Sequence, residues 1–128
     1  MILLLDTSSS ACILRLLDDN FDEEYSWDAG RELSKGILGY LHDKLGALGR
    51  SWSDVAGIVL YRGPGSFTGL RIGHTVCNTI AHAQSIPIVG EAGESWQVRG
   101  LARLEAGEDD KLVMPLYGAA PNITKARK

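Results

Sequence analysis

The chain has only two cysteines, no long apolar run and no surplus of positive charge. Cys12 and Cys77 lack metal-type spacing and fall in a strand-like and a helix-like segment. They read as small buried hydrophobes in a reducing compartment. A membrane-spanning helix needs about 20 consecutive apolar residues, whereas the opening Met1-Ile2-Leu3-Leu4-Leu5 run meets Asp6 at once. No signal-peptide pattern precedes the first strand, so no membrane association and a cytoplasmic location are expected. The formal net charge is −3, and the basic ending Lys125, Arg127 and Lys128 is too short to form a basic face. That argues against strong direct nucleic-acid binding. His42, His74 and His82 supply no H-x-x-x-H or H-E-x-x-H pair, so no metal site is expected. His74 and His82 share one helix-like segment and read as solvated or interface residues. No Ser-His-Asp arrangement follows from the spacing.

What is present is an ordinary globular balance, 45% hydrophobic and 23% charged, in 128 residues that fit one domain with a modest core. Ile2 to Asp6 reads as a buried strand. Ala11 to Leu17 and Phe21 to Trp27 read as a hairpin turning at Asp18-Asp19-Asn20, with Phe21, Glu23, Tyr25 and Trp27 on one face. From Arg31 to about Leu48, the residues Leu33, Ile37, Leu41, Leu45 and Leu48 recur at helical spacing. Ile58 to Tyr61 is a further strand, a second helix reaches about Gln84, Pro87 to Val89 is a short strand, and Glu94 to Glu105 a third helix. Ala106 to Asp110 reads as a polar loop. Three meandering strands followed by alternating β and α segments match a ribonuclease-H-like lobe.

Between the fourth strand and the second helix lies Gly63-Pro64-Gly65-Ser66-Phe67-Thr68-Gly69-Leu70-Arg71-Ile72-Gly73. Its glycines and proline require a tight turn, and Ser66 or Thr68 can cap the helix. Such a turn can hold an anion, because free N–H groups and the helix dipole converge there. The run lacks a Gly-Lys-Ser/Thr ending and has Thr68 where a G-x-G-x-x-G motif needs its third glycine, so any anion site formed with Arg71 is weak. The alternative for Arg71 is a surface ion pair with an acid. Asp6, at the end of the first strand, stands where a phosphate- or metal-handling acid would sit; otherwise Asp6 and Ser8 bond the turn backbone. Two-metal chemistry needs further acids, and only Glu91 and Glu94 offer themselves. Along the second helix Gly69, Gly73, Cys77 and Ala81 recur every four residues, beside Ile72, Val76 and Ile80. The first helix contains Gly36, Gly39 and Gly46, each costing about 1 kcal/mol relative to alanine. Close packing within the lobe, or contact with another subunit, must offset that.

The run GPGSFTGLRIG resembles the signature of the TsaB family, the bacterial partner subunit in tRNA threonylcarbamoyladenosine synthesis. The opening Met1 to Ser8 is similar to that family's first strand and turn. Arg31-Glu32-Leu33-Ser34 resembles its Arg-x-His-Ser, with Leu33 replacing histidine. Pro115-Leu116-Tyr117 and Pro121 to Lys125 resemble its C-terminal tail. The match runs in order over 1–105. It implies one lobe of the actin-like, sugar-kinase-like ATPase fold over 1–110, with 111–128 a last strand or a tail and the second lobe missing. It also implies a non-catalytic dimerisation subunit with no cofactor of its own, ATP being confined to partner subunits. The histidine pair with which the family's catalytic paralogue holds metal is absent. Partners implied are that paralogue, a further ATPase subunit and a second copy of the chain. The two helices would dock through Leu33, Ile37, Leu41, Leu45, Gly69, Gly73, Cys77 and Ala81. Asp6, Gly63, Gly65, Ser66, Thr68 and Arg71 would form the turn or weak anion site. On this expectation Gly73→Leu leaves the lobe folded and removes partner binding. The competing function is a small ATP- or phosphate-binding enzyme built on the same turn.

Overall fold

The structure, a computed structural model, describes residues 1–117. β1 (Ile2–Asp6), β2 (Ala11–Asp18) and β3 (Phe21–Asp28) form an antiparallel meander. α1 (Leu33–Ala47) leads to β4 (Gly57–Tyr61), α2 (Phe67–Gln84) to β5 (Ile88–Glu91), and α3 (Trp96–Glu105) follows. β4 pairs parallel with β1, and β5 with β4, giving the strand order β3-β2-β1-β4-β5.

Register sorts the apolar residues onto two faces. Leu3 lies opposite Leu16 on one side and Ile58 on the other, and Ile58 is paired with Ile88. That row, with Leu5, Leu14 and Leu60, packs under Ile37, Leu41 and Leu45 of α1 and under Cys77, Ile80 and Ala81 of α2. On the opposite face Leu4, Val59 and Val89 meet Trp96 of α3. Two helices therefore cover one face of the sheet and a third covers the other. Each fully buried leucine contributes about 1.5–3 kcal/mol by removal from water. On β3, Phe21, Tyr25 and Trp27 pack toward α1, and Trp27 stacks on Tyr40 at 4.9 Å between ring centroids. Trp27 also explains one helix glycine, since a Cβ on Gly36 would press into its ring, whereas Gly39 and Gly46 face open space.

Several boundaries differ from the sequence reading. α1 is preceded by a 3-10 turn over Gly30–Glu32, because Gly30 takes φ +50 and reorients the chain. Pro87 has no N–H for the ladder, so β5 starts at Ile88 while the Pro87 carbonyl accepts from Ile58 N. α3 starts at Trp96, after Gly93 at φ +82. A short 3-10 helix, Trp52–Asp54, was not expected, although Ser51 and Asp54 form its capping box. The described residues after α3 contain no strand: 112–117 cross the ends of β4 and β5 as an irregular strap. The tail resemblance at Pro121 to Lys125 lies outside the described residues.

Leu41 is fully buried beneath α1. Leu41→Ala should lower folding stability by about 2–5 kcal/mol in urea unfolding; a loss well under about 1 kcal/mol would place α1 off the sheet.

Candidate docking surface and glycine-rich turn

The turn after β4 is built against the chain's own backbone. Gly63 has φ +123, and a Cβ there would overlap the Leu116 carbonyl. A Cβ on Gly65 would come within 2.7 Å of the Ser8 carbonyl oxygen, to which Ser66 N donates at 2.7 Å. Ser66 is the N-cap of α2, its Oγ accepting from Gly69 N at 3.3 Å. Thr68 is exposed in the first turn of the helix and does not cap it. Asp6 Oδ1 accepts from Ser8 N at 2.8 Å, the turn-bonding role open to it from sequence. Arg71 lies over the Phe67 ring, 5.3 Å from its centroid, and forms no ion pair among the described residues. The residues expected to hold an anion thus have Ser8 and Leu116 packed against their glycines.

The small face of α2 is consumed inside the lobe. Thr7, 1% exposed, donates from Oγ1 to the Gly69 carbonyl at 2.7 Å. A Cβ on Gly69 would collide with the Thr7 carbonyl, and one on Gly73 with Thr7 Oγ1 and, at 3.0 Å, Cγ2. Cys77 and Ala81 continue this face into the core. Leu33, Ile37, Leu41 and Leu45 are 5% exposed or less. All eight residues expected to meet a partner are therefore buried in the lobe itself. The cause is the close approach of α2 to the end of β1, which only small side chains permit. Thr7 was not singled out from sequence; its proximity to Ser8 and Asp6 carried no separate signal.

Surface that remains lies beside this face. Ile72 and Val76 are only partly buried and, with Ser34, Thr68, Arg71 and Thr75, line an open groove of about 320 Å³ between α2 and the start of α1. Leu38 on α1 is 54% exposed.

Titratable groups elsewhere are engaged structurally. Burial pushes the Cys77 thiol up to about 12, and burial followed by the Asp6 charge pushes Cys12 up to about 11. Glu91 binds Arg99 at 2.8 Å and Arg103 at 3.0 Å, contacts that hold its carboxyl below the usual range. Arg103 also bonds Glu108 and Asp110, tying α3 to the loop behind it. Glu94 is exposed. Among the described residues no group of three histidine, cysteine or acidic side chains could hold a metal ion. His42 and His82 are exposed, but His74, expected to be solvated or at an interface, is buried at 3%. It turns inward because its Nδ1 finds the Leu70 carbonyl at 2.7 Å. No helix among the described residues is long and apolar enough to cross a membrane.

Residues 27–92 match the family model described as TsaD, tRNA N6-adenosine threonylcarbamoyltransferase. The chain belongs to this family, as a TsaB-type member. It is 32% identical over 117 residues to the tRNA threonylcarbamoyladenosine biosynthesis protein TsaB of Escherichia coli K12, covering 87% of this chain and 51% of that protein. Against TsaB of Bacillus subtilis 168 it is 32% identical over 121 residues, covering 92% of this chain and 50% of the other. The solved structure of YeaZ from Pseudomonas aeruginosa superposes with a TM-score of 0.68 at 31% identity, over 83% of this chain and 49% of that one. A second solved structure is described as an uncharacterised protein with similarity to peptidase YeaZ. The chain spans about half the length of these TsaB relatives, and the lobe is the ribonuclease-H-like lobe of their actin-like fold.

Since Gly73 packs on Thr7, Gly73→Leu should destabilise the lobe by at least about 1–3 kcal/mol, the usual scale of overpacking. Circular dichroism melting checks this. A variant that melts like the parent would show that the small face is not packed inside.

Proposed function

We propose that the chain is a non-catalytic dimerisation and activating subunit of the tRNA threonylcarbamoyladenosine transferase, docking the catalytic TsaD-type paralogue through α1 and α2. The observation that carries this is the groove between these helices, with Ile72 and Val76 half-buried along it and Arg71 and Thr75 on its rim. Arginine is among the residue types enriched at binding hot spots. Gly39 and Gly46 add support. Each costs about 1 kcal/mol in a helix, and among the described residues nothing within 4 Å would obstruct a side chain there. A close-approaching helix of a partner gives them a reason. The buried leucine and glycine stripes hold the two helices in place, and their outer faces do the docking. Without the paralogue, the same surface would pair two copies of the chain. The complex acts in the cytoplasm, and an additional ATPase subunit would bring the nucleotide chemistry.

The packing of Leu116 and Ser8 against the glycine-rich turn weighs against the competing reading of a phosphate-handling enzyme. Its side chains cap and brace α2.

Arg71 and Thr75 are exposed, so Arg71→Glu combined with Thr75→Glu should leave the melting temperature close to that of the parent. It should weaken binding to the catalytic paralogue by at least about tenfold, or 1.4 kcal/mol, in calorimetric titration of the purified subunits. Unchanged affinity in a folded double variant would remove this groove from the interface. Threonylcarbamoylation of tRNA by the mixed subunits should fall in parallel.

A further inference from the structure

His74 is a buried imidazole with half of its hydrogen-bonding capacity unused. The Leu70 carbonyl can only accept, so Nδ1 carries the proton and Nε2 presents a bare lone pair. Nε2 is sealed from solvent and has no partner among the described residues. What closes over this side of α2 is the strap 112–117. His74 shares a groove with Asn78, Val113, Met114, Pro115 and Tyr117. The strap's hold is mostly polar. The Asn78 side chain donates to the Val113 carbonyl and accepts from Val113 N, both at 2.9 Å. Arg62 Nε donates to the Met114 carbonyl at 2.8 Å, and the Arg62 carbonyl accepts from Leu116 N at 2.7 Å. Val113 is buried at 3%, but Leu112 and Met114 are each 60% exposed and Leu116 is 44% exposed. Apart from Val113, which enters the core, and the Tyr117 ring 4.5 Å from Phe67, the strap buries little apolar surface, as expected of a segment that opens locally while the rest of the core stays closed.

We propose that His74 and this strap form an acid-operated latch. Protonation would place an N–H on Nε2 with no acceptor and water excluded. The charges around it are unfavourable: Arg62 acts on it from the end of β4, Arg71 shares its groove on α2, and residues 112–117 carry no charge. Asp110, the acid leading into the strap, is engaged by Arg103 and Gly90 N. Burial holds His74 below the ordinary imidazole value; the Leu70 bond opposes this in part, and the nearby Arg62 adds a lesser push in the same direction as burial. The closed form thus binds the proton less well than the open form. Its advantage is complete above the free-imidazole value of about 6.5 and declines as pH falls from there toward the depressed value of the closed form. Opening uncovers Arg62, Gly63 and Asn78, the groups the strap now occupies.

Amide hydrogen exchange of the whole chain by nuclear magnetic resonance tests this, with rates corrected for the intrinsic pH dependence of exchange. Protection of Val113 N and Leu116 N should fall by up to about tenfold per pH unit below about 6.5. Protection of Ile58 N, which bonds the Pro87 carbonyl in the core, should stay constant. In His74→Phe the strap amides should lose their pH dependence. Flat protection in the parent, loss of Ile58 protection in step with the strap, or persistence of the pH dependence in His74→Phe would overturn the proposal. Should that variant fail to fold, titration of the His74 ring in the parent decides. A midpoint below that of free imidazole that coincides with strap opening supports the latch, and an ordinary midpoint contradicts it.

Discussion

The contact on which this lobe depends is the seat of Thr7 on Gly69 and Gly73. Thr7, the residue just after the central strand β1, carries a hydroxyl that is almost completely buried and bonded at 2.7 Å to the Gly69 carbonyl. A buried hydroxyl without a partner costs about 1–3 kcal/mol, so the bond fixes where the first turn of α2 must lie. The glycines allow that position, because any Cβ on either would run into Thr7. With α2 held there, Cys77, Ile80 and Ala81 drop onto the sheet. The preceding turn must then close within the few residues from Gly63 to Ser66.

This packing decides which surface is left for other molecules. A small-residue face turned inward cannot admit a partner's helix, which leaves the neighbouring side chains Arg71, Ile72, Thr75 and Val76 at least partly open to solvent. α1 behaves likewise. Its leucine stripe meets the sheet, and Gly36 accommodates the Trp27 ring. Leu38, Gly39 and Gly46 lie on its outer side, among the polar residues Ser34, Lys35, His42 and Asp43. The division fits a subunit whose helices hold their shape before a partner arrives.

Much of the architecture was legible because its signals are local. β1 and the end of α2 at Gln84 match the sequence reading, and the hairpin strands β2 and β3 differ by one residue. Ser66 capped α2 as its side-chain chemistry suggested. The assignment of faces was less legible. Spacing every four residues shows that Gly69, Gly73, Cys77 and Ala81 share a side, but it does not say whether a neighbouring strand or another protein lies opposite. The answer came from Thr7, distant in sequence. His74 was misread for the same reason, since its burial is set by the Leu70 carbonyl and by a strap that carries no strand pattern. The glycine-rich run carries a family signature in its sequence, whereas its mechanical role depends on Ser8 and Leu116, which are remote in the chain.

The most direct test is a double-mutant cycle in urea unfolding between Thr7→Ala and Gly73→Ala. In the parent, Gly73→Ala should be destabilising by about 1–3 kcal/mol because the new methyl meets the Thr7 side chain. With Thr7 truncated, that penalty should shrink by about 1 kcal/mol or more, the scale of coupling between residues in contact. An equal penalty in both backgrounds would mean that Thr7 and Gly73 do not meet. The inward assignment of the α2 small face would then be wrong.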